Sequence, residues 1–196
     1  TLRMKKMILS TVVSILSLLN VQAQEQLEIS LKNSSVEWIG EKVTGSHYGT
    51  INLNKAFFIF ENNALVGGQF EMDMYSIKCT DIESPEYAAK LEGHLKDKDF
   101  FATEEHPTST FKITDVIFDG TSYMITGNII IRGISQEITF PAQFHSHGKL
   151  FHADATLKVD RTKHDIKYGS GSFFDGLGDR MIYNEFTLKI HLEATK

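Results

Sequence analysis

The chain has 196 residues, a size that suits one domain, with a net charge of −5 at pH 7 and 41% hydrophobic residues. Lys and Arg are scattered, not gathered into a stripe, so the electrostatic footprint of a nucleic-acid binder is missing. The single cysteine, Cys79, excludes an intrachain disulfide, and the fold must be held by its apolar core.

At the N-terminus, Met4-Lys5-Lys6 is basic, Met7 to Leu19 is apolar, and Val21-Gln22-Ala23 places small residues at cleavage-determining positions. This pattern predicts a secretory signal over residues 1–23, a natural start at Met4 and cleavage after Ala23. The apolar run is short for a membrane span. The expected mature domain is 24–196, exported to a bacterial periplasm or secreted.

Residues 24–33 read as an edge strand or arm. Val36, Trp38 and Gly40 then alternate with polar neighbours, the period of a strand with one buried face. A polar turn is expected around Gly45 to Gly49, after which Ile51 and Leu53 resume the alternation. Phe57 to Phe60 is apolar on both faces, and Asn62-Asn63 is a turn. Val66, Gly68, Phe70, Met72 and Met74 form the next alternating set. Ser84-Pro85-Glu86 opens a helix, with Pro at its first position and an acid in its first turn. Tyr87, Leu91 and Leu95 recur at helical spacing, and 97–101 is the exit. Inserted between strands, this helix is placed to cap one end of a barrel.

Thr108 to Val159 contains four alternating runs separated by turn residues. A two-residue loop at Gly148-Lys149 sets Phe144 against Ala153, Ala142 against Ala155, Phe140 against Leu157 and Ile138 against Val159, inward meeting inward throughout. A three-residue loop, Asp119 to Thr121, sets Ile113 against Gly127 and Phe111 against Ile129. A four-residue loop, Gly133 to Gln136, sets Ile131 against Ile138. The result is an up-and-down antiparallel meander. A Gly-rich connection from Asp160 to Arg180 leads to a final strand in which Ile182, Asn184, Phe186, Leu188, Ile190, Leu192 and Ala194 alternate inward. A connection of that length suits a loop or short helix over a barrel mouth.

The inward set is large and uncharged: Val36, Trp38, Phe70, Met72, Met74, Phe111, Ile113, Ile125, Ile129, Ile131, Phe140, Phe144, Leu157, Phe186, Leu188 and Ile190. A barrel of about eight strands encloses either a filled core or room for one small ligand. Gly68, Gly127, Ala142, Ala153 and Ala155 reduce the filling, and Met72 and Met74 are adaptable liners. The residues alone leave both readings open. Competing chemistry is thin. His145 and His152 face each other in the hairpin register with His147 on the same outer face, a weak candidate site for Zn²⁺ or Cu²⁺. Asp160, Arg161, His164 and Asp165 cluster in a loop as solvated charges or head-group contacts. No nucleophile elbow or paired-acid motif is present, so no enzyme activity and no cofactor are expected.

In chain order, Asn33-Ser34-Ser35-Val36-Glu37-Trp38, Tyr48-Gly49-Thr50-Ile51, Met72 to Ile77, His94 to Phe101, His106 to Phe111, Gly127 to Ile134 and Val159-Asp160-Arg161 together resemble the YceI-like family of exported, polyisoprenoid-binding bacterial proteins. The helix exit followed by Pro and Phe is the most specific piece. The resemblance implies an all-β fold, a lipocalin-like antiparallel barrel with one short helix at an end, holding a long isoprenoid chain in an apolar tunnel. The chain departs from the family pattern at Gly169 to Gly178 and at Lys163-His164-Asp165, both near the expected mouth. An isoprenoid lipid, either a polyisoprenoid or an isoprenoid quinone, is the expected ligand and partner, without nucleic acid; transient membrane contact and a homodimer stay open.

Overall fold

The computed structural model describes residues 24–196, so the expected signal segment at 1–23 lies outside the described residues. Strands β1 (Glu25–Glu28), β2 (Ser35–Lys42), β3 (Gly45–Glu61) and β4 (Ala64–Cys79) are followed by helix α1 (Pro85–Lys96). Then come β5 (Thr108–Phe118), β6 (Tyr123–Ile131), β7 (Ile134–His147), β8 (Leu150–Asp160) and β9 (Ile182–Thr195). Each long strand pairs antiparallel with its sequence neighbour, and β2 pairs with both β3 and β9, which closes the sheet. The short β1 lies against Phe57 to Phe60 of β3, while β2 lies against Gly45 to Ile51 of the same strand. The two therefore share one barrel position, and closure is that of an eight-stranded antiparallel barrel, as expected. Closure leaves no free edge ladder for another chain to pair with.

The strand ends define two poles. At one, Phe58 packs edge-on against Phe60, Phe70, Phe144 and Phe151, with ring centroids 5.5–6.4 Å away. These rings, with buried Leu27, Leu192 and Ala194, plug that end. At the other pole lie α1, its exit, and the connection from β8 to β9. Pro85 occupies the first turn of α1 as the sequence predicts. The buried stripe of the helix runs through Ala88, not Tyr87, which is 65% exposed. The exit folds back on itself: Phe101 N donates to Leu95 O at 3.1 Å and Ala102 N to Asp97 O at 2.8 Å, with Ala102 at φ 49. That turn carries Phe100 and Phe101 under the barrel mouth.

Several sequence-based registers need correction. Gly45 to Gly49 is strand, and the turn is Val43-Thr44, because Lys42 pairs with Gly45. The β6–β7 connection is the two-residue Arg132-Gly133, both at positive φ, as a type I′ turn demands. Ile131 thus faces Ile134, and Ile138 faces Gly127. The shift from the expected register is even, so the inward residues stay inward. Ile113 does pair with Gly127 and Phe111 with Ile129, but through a longer loop, since Phe118 pairs with Tyr123 and a bulge near Thr114 absorbs the difference. A second bulge, between Ile59 and Phe60 in the β3–β4 pairing, turns Leu65 inward and leaves Val66 exposed. The Gly148-Lys149 hairpin holds as predicted at Phe144/Ala153 and Ala142/Ala155. Its ladder then stops, so Phe140/Leu157 and Ile138/Val159 are not ladder pairs; the next β7 residue, Pro141, has no N–H to donate.

Two glycines give a sharp contrast in cost. A Cβ at Gly127 would stand 2.5 Å from both Lys112 O and the Phe111 ring, whereas one at Gly93 in α1 meets nothing. Gly127→Ala is expected to destabilise the barrel by about 1–3 kcal/mol through overpacking. Gly93→Ala is expected to stabilise it by up to about 1 kcal/mol through helix propensity. Urea unfolding midpoints of the two variants read both effects.

Candidate functional site

Between the aromatic plug and the mouth lies a cavity of about 190 Å³. Every inward residue named from the sequence lines it, from Val36 and Trp38 on β2 to Phe186, Leu188 and Ile190 on β9. Ala142, Ala153 and Ala155 line it as well, and their short side chains leave room. Gly68 and Gly127 do not line it. The space above them is taken by neighbours, chiefly the Phe111 ring over Gly127 and the Ile113 and Phe70 side chains over Gly68. The glycines therefore serve ring packing more than cavity volume.

The lining includes residues that alternation did not single out. Leu95, Phe100 and Phe101 reach it from the helix exit, and Phe58 from the plug. Phe101 stands edge-on to Phe186 at 6.1 Å and Phe100 to Phe101 at 5.3 Å, so an aromatic group roofs the mouth end. The adjacent pair Phe100-Phe101 was the available signal, hidden because the exit is neither strand nor helix. Trp38 is fixed by its indole N–H, which donates to Thr50 O at 3.2 Å. Its ring lies over Gly49, where a Cβ would come 2.8 Å from the ring and 1.8 Å from Lys78 O. No side chain other than hydrogen can occupy that position.

The connection from β8 to β9 overturns the expectation of solvated charges. Asp160 accepts from Thr162 N at 3.0 Å and from its hydroxyl at 2.6 Å, starting a short 3-10 turn. That turn drives Arg161 and His164 inside, at 2% and 1% exposure. Arg161 reaches the cavity wall and donates to the carbonyls of Tyr183, Ile166 and Ile182. Burial lowers the pKa of its guanidinium, opposed by the charge of Asp160. His164 Nδ1 lies 3.0 Å from Ile134 O, an acceptor only, so Nδ1 carries the proton. Asp165 stays outside at φ 61, its carbonyl held by Arg132 at 2.8 Å.

On the outer face, His145 does sit opposite His152, and His147 is exposed on the same hairpin. His152 stacks on His191 at 5.6 Å, and His191 pairs with Asp154 at 2.7 Å. Among the described residues no group of three or more His, Cys, Asp or Glu is arranged to hold a metal ion, so the three histidines are not brought together as ligands.

Comparison with known proteins matches this architecture. The model of the YceI-like domain matches residues 26–194. A UPF0312 protein of Photorhabdus laumondii is 33% identical over 61 residues, which is 31% of this chain and 32% of that protein. The chain thus matches about a third of that relative's length. The crystal structure of BcnA from Burkholderia cenocepacia superposes with a TM-score of 0.70 at 22% identity, covering 85% of this chain and 99% of that one. A structure described as a polyisoprenoid-binding domain from Saccharophagus degradans gives 0.62 at 11% identity over 89% and 98% of the chains. At these identities the two structures speak for the fold.

The burial of His164 has a pH signature. Desolvation lowers its pKa from the ordinary 6.5, opposed by the Ile134 and Ile131 carbonyls. The unfolded chain then takes up the proton first as pH falls, so stability declines below 6.5 towards the lower folded value. Urea midpoints of wild type and His164→Asn, compared across about pH 7.5 to 5, are expected to differ in slope, the variant being flatter.

Proposed function

This chain belongs to the YceI-like family, and from that premise we propose that it is an exported carrier or reservoir that holds an isoprenoid-type lipid in its barrel. The carrying observation is the lining: a closed barrel whose inner wall, from the Phe58 plug to the Phe100 and Phe101 roof, is almost entirely hydrocarbon. A flexible hydrocarbon chain is recognised there by burial alone. Each methylene removed from water contributes about 0.8 kcal/mol, so affinity requires no reactive group and the protein acts by binding. The polyisoprenoid-binding description of the Saccharophagus degradans domain supports the same ligand class. The signal-like residues 1–23 support export to the periplasm, where a water-insoluble lipid needs a carrier. Phe173 and Phe174, each 49% exposed on the mouth connection, suit transient contact with a bilayer during exchange.

The cavity volume sets a further requirement. At about 190 Å³ it resembles the engineered apolar cavities of ~150 Å³ that stay dry and admit benzene. A long chain therefore enters by displacing side chains, and Met72 and Met74 are the most adaptable of the lining. The same modest volume favours, as a second reading, a barrel with a largely filled core that works through its outer surface.

Filling the cavity separates the two. Ala155→Phe adds a ring inside without touching the outer face. Uptake of a fluorescent isoprenoid, measured by titration, is expected to weaken by about tenfold or more, near 1.4 kcal/mol, with the strand signal in circular dichroism retained. Wild-type protein that takes up no isoprenoid, or a variant that binds as well as wild type, would favour the filled-core reading.

A further inference from the structure

The cavity wall is interrupted at one buried point. Arg161 donates Nε–H to Tyr183 O at 3.1 Å, Nη1–H to Ile166 O at 2.8 Å and Nη2–H to Ile182 O at 3.1 Å. A guanidinium carries five N–H groups. One N–H on Nη1 and one on Nη2 therefore have no partner among the described residues. No carboxylate lies within ion-pair distance of the guanidinium there, since Asp160 is turned towards Thr162. The guanidinium carbon sits 5.5 Å from the centre of the Phe100 ring.

A buried cation without a counter-ion is costly, and its carbonyl partners offset only part of that. A group that merely stapled the mouth connection would not need to face the cavity. One that faces it with spare donors is suited to an oxygen acceptor on whatever the cavity holds. Charge decides which oxygen. The other charged residues of the lining are Glu41, Asp154 and Glu185, all acids. A phosphate or diphosphate head would add negative charge to a wall that already has more acids than cations. A neutral carbonyl accepts the N–H groups and adds no charge. The flat rings of Phe100 and Phe101 beside Arg161 also suit a flat ring better than a tetrahedral phosphate.

We propose that Arg161 anchors the head group of the bound lipid, and that this head group is a neutral ring carbonyl, the chemistry of an isoprenoid quinone, in preference to a phosphorylated isoprenoid. The proposal rests on the carrier reading and narrows it. It also makes Arg161 a selector: the hydrocarbon tail supplies affinity and the guanidinium supplies the preference among tails of equal length.

The test uses the wild-type mature protein and three competitors of matched chain length against a fluorescent isoprenoid: a quinone, a diphosphate, and a hydrocarbon without oxygen. The quinone is expected to bind at least about tenfold tighter than the hydrocarbon, as fits hydrogen bonds from a charged donor, and tighter than the diphosphate. Arg161→Met is expected to bring quinone affinity down towards that of the hydrocarbon. Should that variant fail to fold, the infrared carbonyl stretch of a carbon-13-labelled quinone on wild type serves instead, with a downshift expected on binding. Equal affinity for quinone and hydrocarbon, tighter binding of the diphosphate, or an unshifted carbonyl would overturn the assignment of Arg161 while leaving the carrier reading in place. Failure of the fluorescent isoprenoid itself to bind would overturn the carrier reading, and this inference with it.

Discussion

The alternation of apolar and polar residues, carried unbroken in parity around a closed sheet, is the constraint on which the rest of this structure depends. A strand has a two-residue period, so every bulge that adds one residue would send the following apolar side chains to solvent. The chain compensates locally. The bulge near Thr114 lets Ile113 and Ile125 both stay inside, although Thr114 and Thr126 lie between them and the loop. The bulge at β3 and β4 exchanges Val66 for Leu65 as the inward residue. Closure then removes the free edges, and the long β3 bends far enough to serve β1, β2 and β4 together.

That constraint explains what could be read from the sequence. Alternation identified the inward residues of β2, β4 to β9 well enough that every one named lines the cavity. The Gly148-Lys149 turn was legible because glycine and strict alternation agree there. Loop lengths at 119–122 and 132–133 were less so. The burial pattern fixes parity and leaves the exact register to turn geometry, and Arg132 at φ 52 is an unusual occupant of a type I′ position. The burial of Arg161 and His164 was illegible for a different reason. Both are polar residues in a Gly-rich connection, and only the tertiary fold supplies the carbonyls that accept their N–H groups.

The two poles of the barrel divide the work. The Phe58 cluster closes one end with packed rings, a dry and rigid stop. The other end is assembled from segments without strand periodicity, the exit of α1 and the connection after β8. It collects nearly every feature that distinguishes this chain from a uniform apolar barrel: the aromatic roof, a buried cation and exposed phenylalanines. A lipid carrier requires that asymmetry, since a hydrocarbon tail asks only for apolar volume whereas loading, release and head-group choice happen at the mouth.

The central claim is that the barrel interior holds an isoprenoid lipid. Native mass spectrometry of the mature protein, purified from a bacterium that makes such lipids and followed by organic extraction, tests it most directly. The account predicts a bound species that survives into the gas phase and whose extracted members are spaced by the mass of an isoprene unit. Protein at its bare sequence mass, with an extract free of isoprenoids and no uptake when isoprenoids are added, would contradict it.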